Sequence, residues 1–170
     1  MKIRTQQITY IALFLALCVI VPIIFHAFGG GAMFLPMFLP IVLSAFLIQF
    51  PYAILVGLLG PWISGLATGM PPLFPTALIM SIEGIVAAGV ISYLYQKRRI
   101  SPWISLATGI FAERIVYFIT IYAFGPLLGL PPKMLSTAAI IYTLPGVLLQ
   151  LFLIPVLLKI IWRTKSGSSK

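Results

Sequence analysis

The segment GPWISGLATGMPPLFPTALIMSIEG, from Gly60 to Gly84, governs how the rest of the chain is interpreted. It joins two apolar runs through a proline-rich turn and places Glu83 about ten residues inside the second run. At about 1.5 Å per helical residue, that carboxylate would lie near the middle of a lipid bilayer. An ionisable group there costs roughly 2.5–3.5 kcal/mol and usually faces a partner or a cavity. Glu83 is therefore the first candidate site residue.

The composition predicts an integral membrane protein. Hydrophobic residues make up 61% of the 170 residues and charged residues 8%, which leaves too little polar surface to coat a soluble domain. A helix needs roughly 20 apolar residues to cross a bilayer. We expect an all-α membrane protein with six transmembrane helices in one domain over residues 1–162. The expected spans are about 8–28, 33–50, 52–67, 73–95, 103–124 and 134–162, followed by a basic, flexible cytoplasmic tail at 163–170.

The basic residues predict the orientation of these spans. The net charge is +9, but Lys and Arg flank the apolar runs and form no basic face, so we expect no nucleic-acid partner. One side of the six-span arrangement holds Lys2, Arg4, Lys97, Arg98, Arg99, Lys159, Arg163, Lys165 and Lys170, and the other holds Lys133. By the positive-inside rule, both termini are cytoplasmic.

Three ionisable residues fall within the predicted spans. Glu83 and Arg114 each lie about ten residues from the outer end of their spans, so they can pair. Glu113 lies about 100° around the helix from Arg114, and the three groups together carry a charge of −1. They form either a polar pocket for a small ligand or a salt bridge that only holds helices together.

Two aromatic residues lie near the same depth. Trp62 is about ten residues into the third span, and Tyr117 is one turn from Arg114. Aromatic faces beside a carboxylate suit a flat, nitrogen-bearing heterocycle, whereas the alternative role of these residues is helix packing. His26, at the outer end of the first span, is a candidate lid residue.

Catalytic and metal-binding patterns are missing from the sequence. There is no Asp, the single His has no nucleophile nearby in a catalytic spacing, and no phosphate-binding loop occurs. Cys18 is the only cysteine, which excludes an intrachain disulfide and a cysteine-based metal site. We therefore expect no enzymatic activity, no metal and no cofactor.

Three segments carry a resemblance to a known family. They are Ala12-x-x-x-Ala16 in the first span, GGGAMFLPMFLPIVLSAF at residues 29–46, and GLLGPWISGLATGMPPL at residues 57–73. Together with the size and six-span pattern, they resemble the substrate-binding S component of an energy-coupling factor (ECF) transporter. The FLPM-x-x-P run from Phe34 to Pro40 is the most specific part.

The resemblance implies a multi-pass protein in the plasma membrane of a bacterium or archaeon. It implies capture of a vitamin or vitamin precursor on the outer side, and assembly with a transmembrane coupling subunit and two cytoplasmic ATPase subunits. The face with Ala12 and Ala16 would dock on the coupling subunit. The loop at residues 29–40, with Phe34 and Met37, would cap and gate the pocket.

Two other functions are compatible with the sequence. A self-sufficient proton-coupled carrier could use Glu83, Glu113 and Arg114 as a proton relay. A structural or assembly protein would need no ligand, and it would tolerate the loss of Glu83 or Trp62.

Overall fold

The regular structure is entirely helical in the computed structural model of the chain, which describes residues 2–127, 129 and 137–167. The helices are α1 (Lys2–Ala27), α2 (Gly31–Phe34), α3 (Phe38–Leu47), α4 (Phe50–Thr68), α5 (Leu78–Ser92), α6 (Pro102–Ile119) and α7 (Thr137–Gly167). π-Helical turns at Leu73–Ala77 and Tyr93–Lys97 flank α5, and another at Thr120–Phe124 follows α6.

Five of the helical segments are long and apolar enough to cross a membrane. Among the described residues these are Thr5–Ala27, Phe50–Thr68, Leu73–Lys97, Pro102–Phe124 and Ile141–Thr164. Large apolar side chains cover much of the outer surface, for example Phe152, which is 70% exposed. Length, hydropathy and an apolar exterior are those of a multi-pass membrane protein, as the composition predicts.

The segment predicted as the second span differs from an unbroken helix. It consists of the four-residue α2, a bend in which Leu35 adopts a left-handed conformation (φ 49°), and the ten-residue α3. Ten residues rise only about 15 Å, half of a hydrocarbon core. Pro36 follows the bend directly and supplies no backbone N–H, so the helix restarts only at Phe38.

This broken segment nevertheless runs the length of α1. Gly31, at its start, lies against the His26 ring, whereas the backbone N–H of Gln49 donates to Gln7 Oε1 at 3.1 Å. Gln7 and His26 are 19 residues apart, or about 29 Å along α1. The segment predicted as the second span therefore lies alongside α1 and is helical over only part of its length.

Close backbone contact fixes α4 against α5. A Cβ on Gly84 would lie 2.6 Å from the carbonyl oxygen of Gly57, and a Cβ on Gly57 would collide with the Gly84 carbonyl. Ser81 Oγ donates to the carbonyl of Leu58 at 2.9 Å. Small residues at such a crossing let helices approach closely in a membrane. The contact sets the rotation of α5 and hence the direction of Glu83.

At the opposite end of the bundle, the Gln96 side chain links α3 to α4 through hydrogen bonds. Its Nε2 donates to the carbonyls of Ala45 (2.9 Å) and Ile48 (2.6 Å), and its Oε1 accepts from the N–H of Phe50 (3.1 Å). Gln96 thereby satisfies two carbonyls near the end of α3 and the N–H at the start of α4.

The last helix, α7, runs from Thr137 to Gly167 and extends past the predicted end of the sixth span. Residues 130–136, where the sixth span was expected to begin, lie outside the described residues. At the other end, α7 continues to Gly167, so residues 163–167 of the predicted flexible tail are helical. None of these residues except the final glycine disfavours a helix strongly.

Candidate functional site

A cavity of about 430 Å³ lies where the segment predicted as the second span is not helical. Because α3 begins only at Phe38, residues 35–37 form a bend beside the cavity, where another helical turn would otherwise lie. The turn at Gly69–Pro72 and the C-terminal end of α1 form further parts of the wall. Ligand pockets typically span about 300–1,000 Å³ and are mostly apolar with a few placed polar groups. This cavity fits that description.

Three charged residues form a cluster at the cavity, of which Glu83 and Arg114 line it. Arg114 Nη2 lies 3.2 Å from Glu83 Oε2 and 2.7 Å from Glu113 Oε1, and Arg114 Nε donates to the same Glu113 oxygen at 3.2 Å. The predicted pairing of Glu83 with Arg114 is therefore present. Although Glu113 and Arg114 leave α6 about 100° apart, the guanidinium folds back to reach its neighbour.

Burial of these charged groups costs desolvation free energy. Glu83 is 3% exposed and Glu113 is fully buried, whereas the Arg114 side chain retains 15% of its accessible surface. A buried charge is tolerated only when it is paired and hydrogen-bonded. One guanidinium shared by two carboxylates meets part of that need and leaves a formal charge of −1.

Two aromatic rings flank the guanidinium. The Arg114 Cζ lies 5.4 Å from the ring centroid of Tyr117 and 5.9 Å from that of Phe38. These distances are within the range of cation–π attraction. Tyr117 was predicted from its spacing to Arg114, whereas Phe38 falls within the predicted cap at residues 29–40 but was not singled out as a site residue.

The predicted cap covers the cavity with only some of its residues. Met37 is 3% exposed and lines the cavity together with Leu35 and Pro36. Phe34 does not line it and packs on Phe25, with ring centroids 5.8 Å apart. A Cβ on Gly146 of α7 would lie 2.7 Å from the carbonyl oxygen of Phe34. Phe34 therefore anchors α2 between α1 and α7.

The turn between α4 and α5 forms another wall that the sequence did not assign to the site. Ser64 Oγ and Thr68 Oγ1 donate to the carbonyl of Met70 at 2.9 and 3.0 Å, which holds this turn against the end of α4. Met70, with Ile79 and Met80 from the following helix, gives the cavity an apolar side. The Gly69-Met70-Pro71-Pro72 pattern marked a turn, but nothing in it indicated that the turn faces a cavity.

The structure places some of the other predicted site residues at the cavity and others away from it. His26 lines the cavity, whereas Trp62 is half-buried on α4 and does not line it. Glu113 lies behind Arg114 and also does not line it. Ala12 and Ala16 are exposed on α1.

A second set of polar groups is buried without hydrogen-bond partners among the described residues. These are Ser105 Oγ, Glu113 Oε2 and both amide atoms of Gln150. Ser105 and Glu113 lie eight residues apart on one face of α6, and Gln150 lies on α7. The sequence analysis did not single out Ser105 or Gln150, because an uncharged polar residue in an apolar run is a weak signal. Within the described residues, no group of three or more His, Cys, Asp or Glu side chains could hold a metal.

Comparisons of the chain with family models, with curated proteins and with solved structures found no match.

Proposed function

We propose that this protein is the membrane-embedded substrate-binding subunit of an ECF-type importer for a vitamin or vitamin precursor. The observation that carries the proposal is the cavity of about 430 Å³ with apolar walls and the Glu83–Arg114 pair inside it. A pair that served only to join α5 and α6 would not need to line a cavity of ligand size. Binding sites are recognised by this combination of apolar walls and convergent polar groups.

The broken second pass supports a binding role with a gate. The segment over the cavity, Leu35–Phe38, has a left-handed residue and a proline, so it is held by packing more than by helical hydrogen bonds. Segments that move to admit a ligand are usually those with few backbone hydrogen bonds of their own. In the proposed six-pass, N-in/C-in arrangement, this segment faces the outside.

The proposed partners are a transmembrane coupling subunit and two cytoplasmic ATPase subunits. The exposed face of α1 with Ala12 and Ala16 is the proposed contact with the coupling subunit, since two small residues four apart allow close helix approach. The proposed location is the plasma membrane of a bacterium or archaeon.

Native mass spectrometry of the detergent-purified chain tests the binding function. We expect a co-purified small molecule, identified after denaturation as a vitamin or precursor. Glu83→Gln should then weaken its binding by at least about tenfold, or 1.4 kcal/mol. Trp62→Phe is the matched control, because Trp62 does not line the cavity. If nothing co-purifies and no vitamin raises the melting temperature, the proposal is wrong.

A specific observation favours a second candidate, a proton-coupled carrier that works alone. Glu113 Oε2 is fully enclosed and has no partner among the described residues, so this buried carboxyl group is a candidate site for a transferred proton. Reconstitution of the purified chain into liposomes tests this function. Uptake of the co-purified ligand driven by a pH gradient, without any ATPase, would favour the carrier over the ECF subunit.

A further inference from the structure

The charged cluster leaves two hydrogen-bonding atoms unused. Glu83 accepts from Arg114 through Oε2, and its Oε1 has no hydrogen-bond partner among the described residues. Arg114 donates through Nε and Nη2, and its Nη1 has no partner among them either. Neither atom is among the fully enclosed polar atoms, so both retain accessible surface. Because both residues line the cavity, we infer that these atoms open into it.

The two free atoms are complementary in type. An ionised carboxylate oxygen only accepts hydrogen bonds, and a guanidinium nitrogen only donates them. They belong to a carboxylate and a guanidinium that are already paired, since the geminal atoms, Glu83 Oε2 and Arg114 Nη2, are 3.2 Å apart. Carboxylate and guanidinium groups are both planar. Their matching ligand surface is therefore a planar edge that carries a donor beside an acceptor.

Charge restricts the ligand further. The guanidinium already contacts two carboxylates, so a negatively charged ligand would meet a cluster whose formal charge is −1. Like charges repel strongly where water is excluded. An uncharged or protonated ligand adds no such repulsion, and its donor completes the coordination of the Glu83 carboxylate.

The remaining walls suit the body of a ring. Ile79, Met80 and Met37 present apolar surface above the charged group. Methionine side chains adapt their shape and make favourable contacts with aromatic rings. The site thus combines one polar edge with an apolar slot.

We propose, on the basis of the proposed binding function, that the ligand is a planar nitrogen heterocycle without negative charge. An N–H of this heterocycle donates to Glu83 Oε1, and an adjacent ring nitrogen or carbonyl accepts from Arg114 Nη1. An aminopyrimidine or lactam edge has this arrangement.

Two matched probes test the edge on the purified full chain. 4-Aminopyrimidine has an N–H donor beside a ring acceptor, whereas 4-(dimethylamino)pyrimidine keeps the ring and acceptor but lacks the N–H. We expect ligand-observed NMR to show that the first binds about tenfold more tightly, since a hydrogen bond to a charged group is strong. Glu83→Gln should reduce this preference, because the charged acceptor is lost. Arg114→Lys should weaken the binding of both pyrimidines alike, since both keep the ring acceptor, and Trp62→Phe should change neither result.

The outcomes separate this inference from the function on which it rests. Equal binding of the two pyrimidines, or tighter binding of benzoate, would overturn the donor–acceptor edge and leave the binding function intact. A co-purified anionic ligand would do the same. If no probe binds and nothing co-purifies, both proposals fail.

Discussion

At the scale of single residues, Arg114 holds two buried carboxylates that would otherwise repel each other. It contacts Glu83 at 3.2 Å and Glu113 at 2.7 Å, with Phe38 and Tyr117 on either side. Removing one partner from a buried ion pair leaves an uncompensated charge, which costs about 3–5 kcal/mol. Replacing all charged partners by neutral groups of similar volume avoids that cost.

This difference predicts the behaviour of two variants. Arg114→Met should lower the free energy of unfolding by about 3–5 kcal/mol, because both carboxylates lose their partner. The triple variant with Glu83→Gln, Glu113→Gln and Arg114→Met should recover most of that stability and still fail to bind the ligand. Thermal unfolding in detergent, with ligand binding measured in parallel, checks both results. An Arg114→Met variant as stable as the unmodified chain would show that the cluster is not held by charge pairing.

At the scale of elements, the Gly57–Gly84 crossing positions Glu83. Gly84→Ala places a methyl group 2.6 Å from the Gly57 carbonyl oxygen, so α4 and α5 must separate. Overpacking of this kind costs about 1–3 kcal/mol. We expect a lower melting temperature and weaker ligand binding, because the shift moves the carboxylate next to the crossing.

Gly89 provides the matched control on the same helix. A Cβ there meets only the Ile54 side chain, at 3.8 Å, which is ordinary contact. Gly89→Ala should leave binding unchanged and should stabilise α5 slightly through its helix propensity. If both alanine variants behave alike in the thermal unfolding measurement, the close crossing does not control the site.

The same elements show which parts of the fold the sequence predicts. Hydropathy and length predict the five long helical segments, because a membrane span imposes both. They do not locate the break within the segment predicted as the second span, because it depends on a left-handed backbone at Leu35, a conformation unusual for a leucine. The cavity exists because of that break, so a run of apolar residues cannot reveal it.

The candidate site is predictable to a similar extent. Depth along two helices correctly pairs Glu83 with Arg114, since each position follows from counting residues. The direction of the Trp62 side chain does not follow from counting residues, because it depends on the rotation of α4 about its axis. The crossing at Gly57 sets that rotation. Five residues turn a helix by about 140° beyond one full turn, so Trp62 points well away from the face that contacts α5.

At the scale of the whole molecule, the charge distribution predicts that both termini are cytoplasmic. Phe28, which is 87% exposed, directly follows the C-terminal end of α1. Ser101 lies two residues after Arg99, and the charge distribution predicts that it lies on the opposite side of the membrane from Phe28. Cys18 is buried and is the only cysteine, so Cys18→Ala gives a background without thiols. In that background, Phe28→Cys and Ser101→Cys each place one thiol on a chosen side.

A membrane-impermeant thiol reagent added to intact cells checks this orientation. We expect it to label the Phe28→Cys variant directly and the Ser101→Cys variant only after the membrane is permeabilised, because the positive-inside rule keeps Lys97, Arg98 and Arg99 in the cytoplasm. The opposite pattern would place the cavity mouth on the cytoplasmic side. It would contradict capture of a ligand from outside, although the Glu83–Arg114 pair itself would be unaffected.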